Sequence, residues 1–146
     1  MYMPSPYESL VRGFFEAVSG DRLIDMAPRL CARQVTLHVS GASPLAGDYR
    51  GIDAVTGGYF DCSRRGAPGG LHYEVSLVRV DGGVARALTR LHAVRRQHVL
   101  DVEQMGTFRL GGGKIQEIWL EPEDQGEFDA FFARHVDMGG GHARAT

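Results

Sequence analysis

Residues 108 to 119 read FRLGGGKIQEIW. Two strand-like runs flank three consecutive glycines. The LGGGK stretch lacks the spacing of a phosphate-binding loop, and both its flanks have strand character, so the glycines read as a hairpin turn. Upstream of that hairpin the same design repeats. LHYEVSLVRV, VARALTRLHAV and HVLDVEQMGTFRL are strand-like runs separated by DGG and RRQ, and KIQEIWLEP follows the GGG turn. Links this short join antiparallel neighbours, so residues 71 to 122 are expected to form a four-strand meander.

The first half has a different period. Tyr7, Leu10, Val11, Phe14, Phe15 and Val18 recur at helical spacing, which predicts an amphipathic helix over residues 6 to 18. Leu23, Ala27 and Leu30 form a shorter stripe, which Pro28 should kink or shorten. Residues 34 to 40 read as a strand, and GASPLAGDYRG, residues 41 to 51, reads as a loop. A third helix is expected near Asp53, with Ile52, Val55, Tyr59 and Cys62 on one side and Gly57 and Gly58 weakening it. A last helix is expected to begin at Pro122, with Glu123 and Asp124 in its first turn and Phe128, Phe131, Phe132 and His135 on one face. The fold class is therefore α+β: a curved antiparallel sheet with helices on its concave face, and a small-molecule site in the cone between the layers. Residues 1 to 138 form one domain, and 139 to 146 are expected to be a flexible tail.

Composition narrows the function. The chain has 146 residues, 43% apolar and 23% charged, as a single globular domain does. A net charge of −2 with scattered Lys and Arg gives no basic stripe, so no nucleic-acid partner is expected. No apolar run approaches the roughly 18 residues of a membrane span, so no membrane partner is expected either. MYMPSPYESL lacks the marks of a signal peptide. Cys31 and Cys62 lack metal or redox spacing, and the pair reads as reduced in a cytoplasmic protein. His92 and His98 bracket a turn without a third ligand, so no metal is expected. No cofactor motif occurs.

Three stretches carry a resemblance: VSGDRLIDMAPRLCARQVTLHVSG from 18, SPLAGDYRGIDAVTGGYF from 43, and MGTFRLGGGKIQEIWLEPEDQGEFDAFF from 105. With the order of elements, they make the chain resemble the nuclear transport factor two-like superfamily, and within it the SnoaL-like polyketide cyclases and the ketosteroid isomerases. The resemblance implies a cone-shaped α+β barrel, an enclosed site that needs no cofactor, and a homodimer formed through the open sheet face. In the isomerases a carboxylate at the end of the first strand is the general base, and His38 matches that position. A second acidic position lies four residues before the Phe of the FR pair, and Gln104 matches it. The tyrosine of the first helix is replaced by Gly13-Phe14. These departures remove the isomerase equipment. An epoxide-opening reaction needs two carboxylates about an arginine; Arg90, Asp101 and Glu103 are present, but strand alternation puts the two acids opposite Gln104.

The candidate catalytic pair is thus His38, whose ordinary pKa near 6.5 suits proton transfer, and Gln104, a neutral donor to a substrate carbonyl. The expected substrate-binding wall is Phe14, Val39, Tyr59, Thr89, Leu91, Leu100, Val102, Ile118, Trp119 and Leu120. Along residues 35 to 40, Val35, Leu37 and Val39 share one face and Thr36, His38 and Ser40 the other. The polar set is expected along the cavity edge, which puts His38 in the site. The function so implied is a cyclase or isomerase of polyketide-type natural-product biosynthesis, acting on an apolar small molecule. The alternative is a non-catalytic metabolite-binding or scaffold module.

Overall fold

A computed structural model of the chain describes residues 3 to 139, with side chains through residue 133. Helix α1, Pro6–Ser19, starts at a proline behind a serine cap: Ser5 Oγ accepts from the Glu8 amide at 3.1 Å. It buries Val11, Phe14, Phe15 and Val18. Helix α2, Leu23–Leu30, is only eight residues long with Pro28 inside, and runs directly into β1, Cys31–Val39. A short β2, Gly47–Arg50, lies within the stretch expected to be loop, and there the expectation is corrected. Its backbone pairs with the free edge of β1, and local turn composition does not reveal such a partner.

The expected third helix is two pieces, a π-helical segment Ala54–Phe60 continuing into α3, Asp61–Arg65. The meander follows as β3, Gly70–Asp81, β4, Val84–Arg95, β5, His98–Gly111, and β6, Lys114–Pro122. Helix α4, Gln125–Gly139, begins three residues later than expected. Pro122 closes β6 opposite Gln104, and the Asp124 carboxylate caps the helix by accepting from the Glu127 amide at 3.0 Å.

The sheet has six strands in the order β2-β1-β6-β5-β4-β3. All pairs are antiparallel except β1 with β6, which run parallel. The all-antiparallel expectation is corrected to a mixed sheet. Residues 40 to 113, about half of the chain, lie between these two strands, which gives a parallel pair the long connection it needs. The sheet is open, with β2 and β3 as its edges, so it curves without closing into a barrel.

One sheet face is buried under the helices. Helix α1 crosses β3, β4 and β6, α2 lies on β1, and α4 lies on β5 and β6. Phe14 and Phe15 of α1 meet Phe108 of β5 edge-on, with ring centroids 5.7 and 5.6 Å apart. Bulges keep apolar residues on this face. Register shifts lie between Val75 and Leu77 of β3 and between the Arg109 and Leu110 pairings of β5 with β6. Without them Val78 and Ile118 would turn outward, because one extra residue inverts the parity of a strand. No described helix is long and apolar enough to cross a membrane. The expected tail and the side chain of His135 lie outside the described residues.

Candidate interior site

Strand β5 builds the interior. Every second residue from Leu100 to Leu110 is buried: Leu100, Val102, Gln104, Gly106, Phe108 and Leu110. Gln104 is the polar member of that row, 1% exposed, and faces Thr89 on β4 and Pro122 on β6 across the ladder. Thr89 is buried but satisfied, because its hydroxyl donates to the main-chain carbonyl of Gln104 at 3.0 Å. The Gln104 carboxamide is not. Oε1 and Nε2 are both buried without a hydrogen-bond partner. An unpartnered amide in such surroundings costs about 1–3 kcal/mol, and folded proteins keep few of them.

Charge is kept off this face. Asp101 and Glu103 point outward and pair with Arg90 at 2.9 and 3.8 Å. The buried carboxylate of α1, Glu8, is held by Arg12 at 2.9 Å. Tyr59 and Tyr73 are buried, and loss of hydration pushes both phenols up, so they stay neutral. Around the sheet interior the polar functions are therefore an amide, a hydroxyl and phenols. Phe14, Val39, Tyr59, Leu91, Leu100, Val102, Ile118 and Leu120 are buried on the same side. The structure thus gathers Gln104, Thr89 and most of the expected wall.

Two expected site residues are elsewhere, and both expectations are corrected. His38 and Trp119 face the outer side of the sheet, because Val35, Leu37 and Val39 take the buried side of β1. The ring of His38 stacks on Trp119 with centroids 5.2 Å apart. Its Nδ1 lies 2.7 Å from Asp48 Oδ1 on β2, and its Nε2 lies 2.6 Å from Glu117 Oε2 on β6. Arg109 Nε in turn donates to the other Glu117 oxygen at 3.1 Å. Trp119 borders an outer groove of about 300 Å³ with Val84, Arg86, Thr107, Arg109 and Glu121. With a carboxylate on each nitrogen, His38 has no lone pair free to take a substrate proton. Partial desolvation pulls its pKa down, but the hydrogen bonds to Asp48 and Glu117 and their charge outweigh that and raise it. The hydrogen bond from His38 and that from Arg109 hold the Glu117 carboxyl below its ordinary value, against a smaller desolvation effect.

These shifts set a pH window. A raised histidine pKa stabilises the fold fully below the ordinary 6.5 and loses its effect as pH climbs through the folded value. A lowered glutamate pKa stabilises above the ordinary 4.5 and loses its effect as pH falls through the folded value. The clasp between β1, β2 and β6 is therefore strongest from about pH 4.5 to 6.5. His38→Gln should cost more stability at pH 6 than at pH 9. Since His38 and Asp48 are 25% and 53% exposed, solvent keeps the difference to about 1 kcal/mol or less. Urea midpoints at the two pH values measure it, and an equal penalty at both would remove the clasp.

The Asp48–His38–Glu117–Arg109 chain was not visible in the sequence. Its members lie 10 and 79 residues from His38, or 8 residues apart across the last hairpin, and no local pattern joins them.

No protein-family model matches the chain, and no curated protein matches it in sequence. Solved structures match it in shape. Bal32a, from a soil-derived mobile gene cassette, superposes with a TM-score of 0.81 at 22% identity, covering 87% of this chain and 96% of its own. A Jannaschia protein provisionally described as a SnoaL-like polyketide cyclase gives 0.74 at 16%, covering 91% and 98%. A nuclear transport factor two-like protein of unknown function from Burkholderia pseudomallei gives 0.75 at 16%, covering 88% and 98%. The chain has the nuclear transport factor two-like fold. In that fold the helices cover one sheet face and leave the other open, which is why Gln104 and His38, on opposite faces, belong to different sites.

Proposed function

We infer that the chain is a small-molecule cyclase or isomerase. It holds an apolar substrate between helices and sheet and polarises one substrate carbonyl through Gln104. The observation that carries this reading is the buried Gln104 carboxamide without a partner. The cyclase descriptions of neighbours sharing the fold support the same reading. With His38 outside, the work falls to shape and a neutral donor. Holding the reacting ends together can supply several kcal/mol, on the order of 7–11 at most. A pre-aimed donor adds a smaller share, because no water need reorganise.

Among the described residues no ionisable side chain shares the buried row of β5 with Gln104, which favours a second reading, a metabolite carrier without turnover. One experiment separates the two. Linear β-diketones and tethered diene–enone ketones are incubated with the protein and their products followed by chromatography. A cyclase accelerates ring closure of at least one compound, and Gln104→Leu slows that reaction about ten- to a hundredfold. Binding without acceleration across the panel would leave the carrier reading in its place.

A further inference from the structure

We propose that His72 and His92 form a two-imidazole chelate for a divalent transition cation of the zinc class, on the outer face of the sheet. In sequence the near neighbour of His92 is His98, across a turn. The register of the sheet pairs it otherwise. His98 stands opposite Arg95, and His72 on β3 stands directly opposite His92 on β4. Leu71 and Tyr73 take the buried side of β3, and Leu91 and Ala93 take that of β4, so both histidines point outward. The bulge of β3 lies beyond them, between Val75 and Leu77, and leaves this pair in register.

The two rings are already close to a chelating geometry. Their centroids are 6.1 Å apart and their planes are inclined at 55°. A zinc ion about 2.0–2.1 Å from one nitrogen of each ring sets the centroids roughly 5.2 Å apart at the tetrahedral angle and roughly 6.4 Å apart when the three are in line. The observed separation falls between these limits, so rotation of the side chains closes the chelate and the backbone need not move. Among the described residues neither ring is in a hydrogen bond or an ion pair. Each neutral imidazole therefore keeps a nitrogen lone pair to offer a metal.

The charge around the pair suits a cation. Glu74 follows His72 on the outer side of β3, and Asp101 stands opposite His92 on β5, with Glu103 next to it on the same side. Arg90 faces these three carboxylates, opposite Glu74 and paired with Asp101 and Glu103 at 2.9 and 3.8 Å, which leaves the patch acidic. No third His, Cys, Asp or Glu among the described residues completes a larger ligand group. Asp101 and Glu103 stay with Arg90, and water fills the remaining metal positions. Two nitrogen ligands select the metal, because imidazole suits zinc, nickel and copper, whereas calcium and magnesium take oxygen ligands.

Zinc chloride, titrated by calorimetry into the untagged full chain and into His72→Gln, His92→Gln and the double variant, tests this. Both side chains lie on the outer face, so the variants should fold, and metal-free melting curves check that they do. The natural chain should bind one zinc ion at this pair. Each single variant should bind it about tenfold or more weakly, and the double variant no more weakly than either single one, because losing one ring already forfeits the chelate. His98→Gln should leave the affinity within about twofold. In histidine ring NMR of the natural chain, the His72 and His92 signals should move together at the first equivalent of zinc, and calcium should move neither. Unchanged zinc affinity in both single variants overturns the proposal, since the ion then sits elsewhere. Losses that add in the double variant also overturn it, because the rings then act separately. So does an absence of zinc binding up to millimolar concentration. If a variant fails to fold, the NMR titration of the natural chain decides, and movement of other histidine rings ahead of these two overturns the proposal.

Discussion

Gln104→Leu should unfold at a higher urea concentration than the natural chain. The substitution replaces an amide that finds no partner with an apolar side chain of similar size, in a wall that already holds Val102, Leu91 and Leu120. Removing a buried orphan donor and acceptor should return about 1–3 kcal/mol. For a domain of this length each kcal/mol raises the melting temperature by roughly 2–4 °C. Sites kept for binding commonly hold such a penalty, and removing it trades function for stability. Equilibrium urea unfolding with an unchanged slope is the measurement. If the leucine variant is less stable, the amide has partners in solution and the case for an interior ligand loses its foundation.

Phe108→Ala should have the largest destabilising effect. Phe108 is fully buried and meets Phe14 and Phe15 edge-on at 5.7 and 5.6 Å, so one ring ties β5 to two positions on α1. Phe14 and Phe15 also meet each other at 5.5 Å, which makes the three rings one unit. Gly106 is part of the same fit, because a Cβ there would come within 3.0 Å of the Phe108 ring and 3.4 Å of the Phe15 ring. Truncation leaves a cavity that these rings cannot fill without leaving their edge-on geometry, at about 3–5 kcal/mol. That is a large part of the roughly 5–15 kcal/mol that stabilises a domain. Phe108→Leu provides a milder companion that should remain folded. A loss below about 1.5 kcal/mol for the alanine variant would show that α1 slides into the gap, and that the rings do not fix its position.

The interior was legible in the sequence and the outer clasp was not. Gln104 could be placed because β5 alternates without interruption from Leu100 to Leu110, so its side follows by counting. On β1 the counting was also sound, since Val35, Leu37 and Val39 form one set and His38 belongs to the other. The error lay in assigning the polar set to the cavity. One layer of helices shelters one sheet face, and the apolar set claims it. The site position matched by resemblance carried His38 to the wrong side. Strand β2 escaped because its four residues, GDYR, carry no apolar alternation and pair through the backbone with β1. Ile118 and Trp119 are both expected in the wall, yet strand neighbours face opposite sides, and a bulge that depends on the partner strand turns Ile118 inward and Trp119 outward.

The parallel pairing of β1 with β6 has a consequence for how the chain is made. Residues Cys31–Val39 acquire their neighbour on that side only when Lys114–Pro122 has left the ribosome. Until then α1, α2 and β1 present Phe14, Phe15, Val35 and Leu37 with no completed sheet to receive them. The meander closes through short turns, while this contact spans most of the sequence, so it forms late and slowly. A nascent chain halted before β6 is therefore a substrate for chaperones and proteases, however complete its first half.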